Sequence, residues 1–215
     1  MGIFNWISNN YIEIFGAVTG ILYVFLEIKQ NLWLWPVGII TSAVYIWVFF
    51  TGKLYADTSL QGYYLVISVL GWYWWIKGAG LRAHGNKSPF GGGEGDVDKK
   101  PIPEKLIVHR INLKTGIVLA AVLCVLYFVL WFVLSHLTDS PVPAADSFIT
   151  SLSIVATWML ARKIYEHWYL WIVVDAFASV LFITRHLYPT VILYIVFCAM
   201  SFAGLIEWKK SLTKQ

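Results

Sequence analysis

In the stretch HWYLWIVVDAFASVL (167–181), Trp168, Trp171, Asp175 and Ser179 recur every three or four residues, the spacing that puts side chains on one face of a helix. A carboxylate inside an apolar run of bilayer length costs on the order of 2.5–3.5 kcal/mol on insertion scales, so it faces a polar cavity and marks a pathway or ligand site. Indole faces attract cations, and a carboxylate in the same low-dielectric pocket adds charge complementarity. This face therefore suits a flat, aromatic cation. Two further stripes share that polarity: Thr190, Tyr194, Cys198 and Ser201 near the end of the chain, and Asp57, Gln61, Tyr64 and Ser68 near its beginning, with Trp35 and Ser42 as a weaker companion face. Gln61, Tyr64, Tyr194 and the hydroxyls can hydrogen-bond a sugar or an amide. The candidate substrate-binding residues are Trp35, Gln61, Tyr64, Trp168, Trp171, Asp175, Ser179 and Tyr194. No set of residues suggests a catalytic group, a metal or a cofactor.

The elements that position them follow from composition. The chain is 59% hydrophobic and 13% charged with a mean hydropathy of +0.67, against roughly 45–50% and about 25% in soluble domains. It is therefore an all-α membrane protein. Apolar runs predict seven spans near Tyr11–Ile28, Leu32–Phe50, Thr58–Ile76, Gly116–Leu137, Asp146–Leu160, Trp168–Ile183 and Pro189–Trp208, of which the fifth and sixth are short for a bilayer core of about 30 Å. Twelve Trp exceed what two interfacial belts need, so some rings line an interior. Cys124 and Cys198 fall inside apolar runs and imply no disulfide. The start, MGIFNWISNN, lacks a basic region and predicts no cleaved signal peptide.

A net charge of +4 would suggest a nucleic-acid partner in a soluble protein. Here Lys and Arg lie between the apolar runs and set topology. Lys77, Arg82, Lys87, Lys99, Lys100, Lys105, Arg110 and Lys114 fall between the third and fourth spans. Lys29, Arg162, Lys163, Lys209, Lys210 and Lys214 share their side, leaving only Lys53 and Arg185 on the other. The amino terminus is expected outside and the carboxyl terminus in the cytoplasm. GNKSPFGGGEGDVDKKPIP reads as a flexible linker. Its FGGGEGD lacks the Gly-Lys-Ser/Thr ending of a phosphate loop.

The chain also repeats itself. LWLWP (32–36) aligns with WYLWI (168–172), placing Trp35 on Trp171 and Leu34 on Leu170. With the second copy's connection three residues shorter, LYADTSLQ (54–61) aligns with LYPTVILY (187–194), and Ser68, Gly71, Trp75 and Lys77 fall on Ser201, Gly204, Trp208 and Lys210. That register sets Ile39 opposite Asp175. Each copy holds three spans, and one left-over span between them lets both enter the membrane in the same direction. The expected organisation is a first three-helix repeat (1–77), a flexible cytoplasmic linker (78–111), a linker transmembrane helix (112–138) and a second repeat (139–215). Transporters use parallel repeats of this kind with the substrate near the midplane.

The remaining acidic residues attract blander readings. Glu13, Glu27, Glu166 and Glu207 fall near span ends, where snorkelling is the usual account. Asp57 opens its helix, where it either complements that terminus electrostatically or stands at the cavity mouth. An integral membrane enzyme acting on lipid would need clustered carboxylates or His, whereas His84, His109, His136, His167 and His186 scatter near loops.

NLWLWPVGI, LYADTSLQGYYLVISVLGWYWW, ARKIYEHWYLWIVVDA and LYPTVILY resemble the PnuC family of bacterial vitamin transporters, over nearly the whole chain apart from the linker. The resemblance implies a SWEET-like 3+1+3 fold in the bacterial inner membrane and uniport of a small cationic vitamin, nicotinamide riboside or, as in the relatives called PnuT, thiamine. It also implies trapping by cytoplasmic phosphorylation and a homotrimer. In nicotinamide riboside members an Asn often occupies the place near Asp175; the Asp here departs from that pattern and brings thiamine nearly level with nicotinamide riboside, which stays the first expectation.

Overall fold

The computed structural model describes residues 11–51, 55–77, 106–138 and 140–213. They form seven helices: α1 (Tyr11–Ile28), α2 (Leu34–Thr51), α3 (Tyr55–Lys77), α4 (Leu113–His136), α5 (Pro143–Ala161), α6 (His167–Thr184) and α7 (Tyr188–Thr213). Six are long and apolar enough to cross a membrane. The two spans expected to be short gain a residue or more at each end, because Pro143 starts α5 and α6 extends from His167 to Thr184. The helix outside those six is α3, whose apolar run is diluted by Asp57, Gln61 and Ser68.

Helix ends are written in local chemistry. Asn112 caps α4, its side-chain oxygen accepting from the Thr115 amide at 2.7 Å. Helices α1, α5 and α6 each stop at a left-handed residue, Gln30 (φ 51°), Lys163 (φ 55°) and His186 (φ 58°). At each stop the following amide reaches back to close the last turn: Asn31 to the Leu26 carbonyl at 2.9 Å, Ile164 to Met159 at 2.9 Å and Leu187 to Phe182 at 3.1 Å. These bonds satisfy carbonyls that a helix end leaves orphaned.

The first and second halves share these details at one constant spacing. Gln30 matches Lys163, and the caps of α1 and α5 match bond for bond. Trp35 at the start of α2 crosses Trp75 of α3 edge-on at 5.3 Å and 88°, and Trp168 at the start of α6 crosses Trp208 of α7 at 5.8 Å and 82°. Each indole lies over a glycine, Trp35 over Gly71 and Trp168 over Gly204, where any Cβ would collide with the ring. The true partner of Trp35 is thus Trp168, not Trp171, and Ser42, not Ile39, stands opposite Asp175. The shared Leu-Trp pair in LWLWP and WYLWI pulls a sequence alignment off by one helical turn; the backbone needs no shorter connection in the second copy.

Helix neighbours recur too. α2 packs on α1 and α3, and α6 packs on α5 and α7, while α1 meets α7 and α3 meets α5 across the middle. Both crossings are pinned by tryptophan: Trp75 Nε1 donates to the Ala161 carbonyl at 3.2 Å, and Trp208 Nε1 donates to that of Glu27 at 3.0 Å. α4 packs along α5 and has no buried residue.

Residues 106–111, expected within the flexible linker, are ordered. His109 pairs with Ile164 as an isolated parallel bridge, its amide donating to the Lys163 carbonyl at 3.1 Å, and the Ile111 amide donates to Glu166 Oε2 at 2.9 Å. Leu106 and Val108 are thereby buried in the core cluster that holds Trp35, Trp75, Trp168 and Trp208. The rest of the expected linker lies outside the described residues.

Candidate functional site

A cavity of about 850 Å³ lies between the halves, within the range of small-molecule sites. It reaches the surface at Glu13 on α1 and Pro189 on α7 and runs inward to a buried end at Glu27 and Trp168. Six of the eight sequence-derived candidates line it: Gln61, Tyr64, Trp168, Trp171, Asp175 and Tyr194. Two do not. Trp35 is wholly buried over Gly71, and the Ser179 hydroxyl donates to its own helix at the Asp175 carbonyl, 2.8 Å away. Trp168 is likewise wedged over Gly204 and meets the cavity only at its inner end.

Asp175 sits halfway along α6 with 4% of its surface exposed, and Ser201 of α7 donates to its Oδ2 at 3.0 Å. The same two positions in the first half carry Ser42 and Ser68, both buried and both on the wall. One side of the cavity centre therefore holds a carboxylate and a hydroxyl, and the opposite side holds two hydroxyls. Around them stand Tyr23, Thr41, Tyr45, Ser153, Thr157 and Thr190. Glu13, Glu27 and Asp175 line the cavity, and no Lys, Arg or His does among the described residues. Nor do those residues include a group of three or more His, Cys, Asp or Glu placed to hold a metal ion.

Sequence reasoning missed the inner end. Glu27 is 2% exposed rather than snorkelling, with its Oε1 3.0 Å from Nε2 of His167, which is fully buried. Proximity of residues 140 positions apart leaves no trace in local pattern.

Three buried polar atoms on the wall, Trp171 Nε1, Thr41 Oγ1 and Trp168 Nε1, have no hydrogen-bond partner among the described residues. An unpaired buried donor costs about 1–3 kcal/mol, and a ligand acceptor at Trp171 would recover that. Trp171→Phe keeps an aromatic face while deleting the donor. It should weaken ligand binding by about tenfold and leave the melting temperature of the ligand-free protein unchanged or raised, as titration and thermal unfolding would register.

Comparison with known proteins places these features in context. A family model described as "Nicotinamide mononucleotide transporter" matches residues 10–210. The chain is 25% identical over 215 residues to "Nicotinamide riboside transporter PnuC" of Escherichia coli (strain K12), covering 94% of this chain and 86% of that protein. It is 26% identical to a protein of the same name from Neisseria mucosa, covering 97% and 75%. To "Riboflavin/roseoflavin transporter RibM" of Streptomyces davaonensis it is 24% identical, covering 95% and 92%. The crystal structure of "the Vitamin B3 transporter PnuC" superposes with a TM-score of 0.70 at 24% identity, covering 99% of this chain and 86% of that one, and has the same fold.

Proposed function

The chain belongs to the nicotinamide mononucleotide transporter family, and on that footing we propose that it carries a cationic, nucleoside-like vitamin, nicotinamide riboside foremost, across the membrane by facilitated diffusion. The observation that carries this reading is Asp175, a buried carboxylate on the wall of an aromatic cavity where, among the described residues, no cationic side chain neutralises it. A pyridinium or thiazolium ring supplies the missing charge. The same acidic wall disfavours a phosphate ester, so the unphosphorylated nucleoside is the cargo, and phosphorylation inside the cell would prevent its return.

Orientation follows from the cations. Lys29, Lys77, Arg162, Lys163, Lys209 and Lys210 sit at the end where α1, α3, α5 and α7 finish, which favours a cytoplasmic carboxyl terminus, an outer amino terminus and two halves inserted in parallel in a bacterial inner membrane. The cavity mouth then faces outward. Assembly as a homotrimer rests on the family resemblance.

Thiamine is the second reading, favoured by an acid at position 175 instead of an amide. Uptake into liposomes of purified protein, with labelled nicotinamide riboside competed by thiamine, riboflavin and nicotinamide mononucleotide, tests both. Inhibition by one or both cations and none by the mononucleotide is expected; uptake of the mononucleotide, or of riboflavin alone, would overturn the cation reading. Flux that depends on a proton or sodium gradient would overturn uniport.

A further inference from the structure

The buried end of the cavity holds an ion-pairing contact that the central site does not use. His167 Nδ1 lies 2.7 Å from the Ile164 carbonyl, which can only accept, so Nδ1 carries a proton. Nε2 faces Glu27 Oε1 at 3.0 Å, and the pair shares one further proton between them. The imidazole is boxed between Trp168 and Trp208, each centroid 4.7 Å away, and Trp208 Nε1 donates to the Glu27 carbonyl. Glu27 thus joins α1 of the first half to α6 and α7 of the second at the point where the cavity is shut.

The other half answers whether packing requires this pair. At the constant spacing that relates Trp35 to Trp168, Glu27 corresponds to Leu160 and His167 to Leu34, both fully buried. Two leucines close one side of the molecule where a carboxylate and an imidazole close the other. A buried ion pair rarely outperforms apolar residues of similar volume in stability, so stability does not account for the polar pair. Two further facts bear on its use. Glu27 lines the same cavity as Asp175, and His167 begins the helix on which Asp175 lies two turns further, a rise of about 12 Å at 1.5 Å per residue.

We propose that Glu27 is a second, inner cation subsite, held by His167 while this end of the cavity is shut and taken over by the cationic ligand when it opens. The proposal rests on the reading of the cargo as a cation. Parting α1 from α6 and α7 strips Glu27 of its partner and leaves a carboxylate in the wall, which is strongly unfavourable when uncompensated. A cation that has moved inward from Asp175 removes that penalty; an empty or neutral cavity does not. The loaded protein therefore opens inward more readily than the empty one. Among the described residues no other carboxylate of the cavity lining stands at this end, since Asp175 lies two turns away, Glu13 is at the mouth and the second half offers Leu160.

The test compares wild type with Glu27→Gln in liposomes, measuring equilibrium affinity and saturated uptake rate for nicotinamide riboside and for its uncharged dihydropyridine form. Glu27→Gln should keep affinity for the cation within about threefold, slow its uptake more than about tenfold, and alter uptake of the neutral form less than about threefold. Equal slowing of both forms, or no slowing of the cation, would overturn the proposal. Should Glu27→Gln fold poorly, the double variant Glu27→Leu with His167→Leu reproduces the packing of the opposite side. It should melt no lower than wild type while showing the same selective loss, and unchanged cation uptake in it overturns the proposal equally. Failure of wild type to bind any cationic vitamin would instead sink the cation reading itself, before a variant is compared.

Discussion

Asp175→Ala should abolish measurable uptake of a cationic vitamin at micromolar concentration and weaken its binding by on the order of 100-fold, about 3 kcal/mol, the scale on which losing one partner of a desolvated charge pair is felt. The size follows from burial. With 4% of its surface exposed and, among the described residues, only Ser201 bonded to its side chain, the carboxylate is poorly screened by water, and an opposite charge against it gains more than it would at a surface. Asp175→Asn separates charge from shape, because an amide of nearly equal volume can still accept from Ser201. It should lose most of the affinity for thiamine, whose thiazolium depends on the charge, and less for nicotinamide riboside, whose carboxamide can pair with the new amide. Titration calorimetry with both ligands reads the difference; a uniform loss would show that Asp175 acts only as a point charge, and an unchanged affinity would remove it from the site.

Gly71→Ala and Gly204→Ala should each lower stability by about 1–3 kcal/mol or more, the cost of forcing an extra methyl into a packed core. Each glycine is the floor on which a tryptophan lies, Trp35 on Gly71 and Trp168 on Gly204. Neither ring can retreat, since each also crosses a second buried tryptophan edge-on. The two sites lie in different halves and their ring pairs, Trp35 with Trp75 and Trp168 with Trp208, are distinct, so the losses should add in the double variant. Thermal unfolding in detergent measures this. Trimming the overlying ring, Trp168→Leu in the Gly204→Ala background, should recover part of the loss, whereas a Gly204→Ala protein that melts like wild type would mean the α6–α7 contact is looser than described.

Much of this architecture was legible because membranes enforce simple rules. The span Tyr11–Ile28 could be read from hydropathy alone, and Asp175 announced itself as a charge where none belongs. Glu27 did not, because a glutamate near a span end looks the same in sequence whether it snorkels to water or is locked to an imidazole from another helix. Trp35 reads in sequence as a substrate-binding residue, yet its face is spent on Gly71 and it does not line the cavity. Ser42 reads in sequence only as part of a weaker companion face, because the short Leu-Trp tag shared by LWLWP and WYLWI sets Ile39 opposite Asp175. Local periodicity finds the helix face; which face meets which is decided by contacts between residues far apart in the chain.

The pairing of Ser42 and Ser68 against Asp175 and Ser201 has one more consequence, for the polarity of the bound molecule. A frame whose halves pack alike presents nearly the same outline to a ligand turned end over end, so shape alone would admit two poses. A nucleoside-like cation has unlike ends, one ring that carries charge and one sugar that carries hydroxyls. With a carboxylate on one wall and hydroxyls on the other, only one pose sets charge against charge, and the cargo enters and leaves the centre of the protein with a fixed heading.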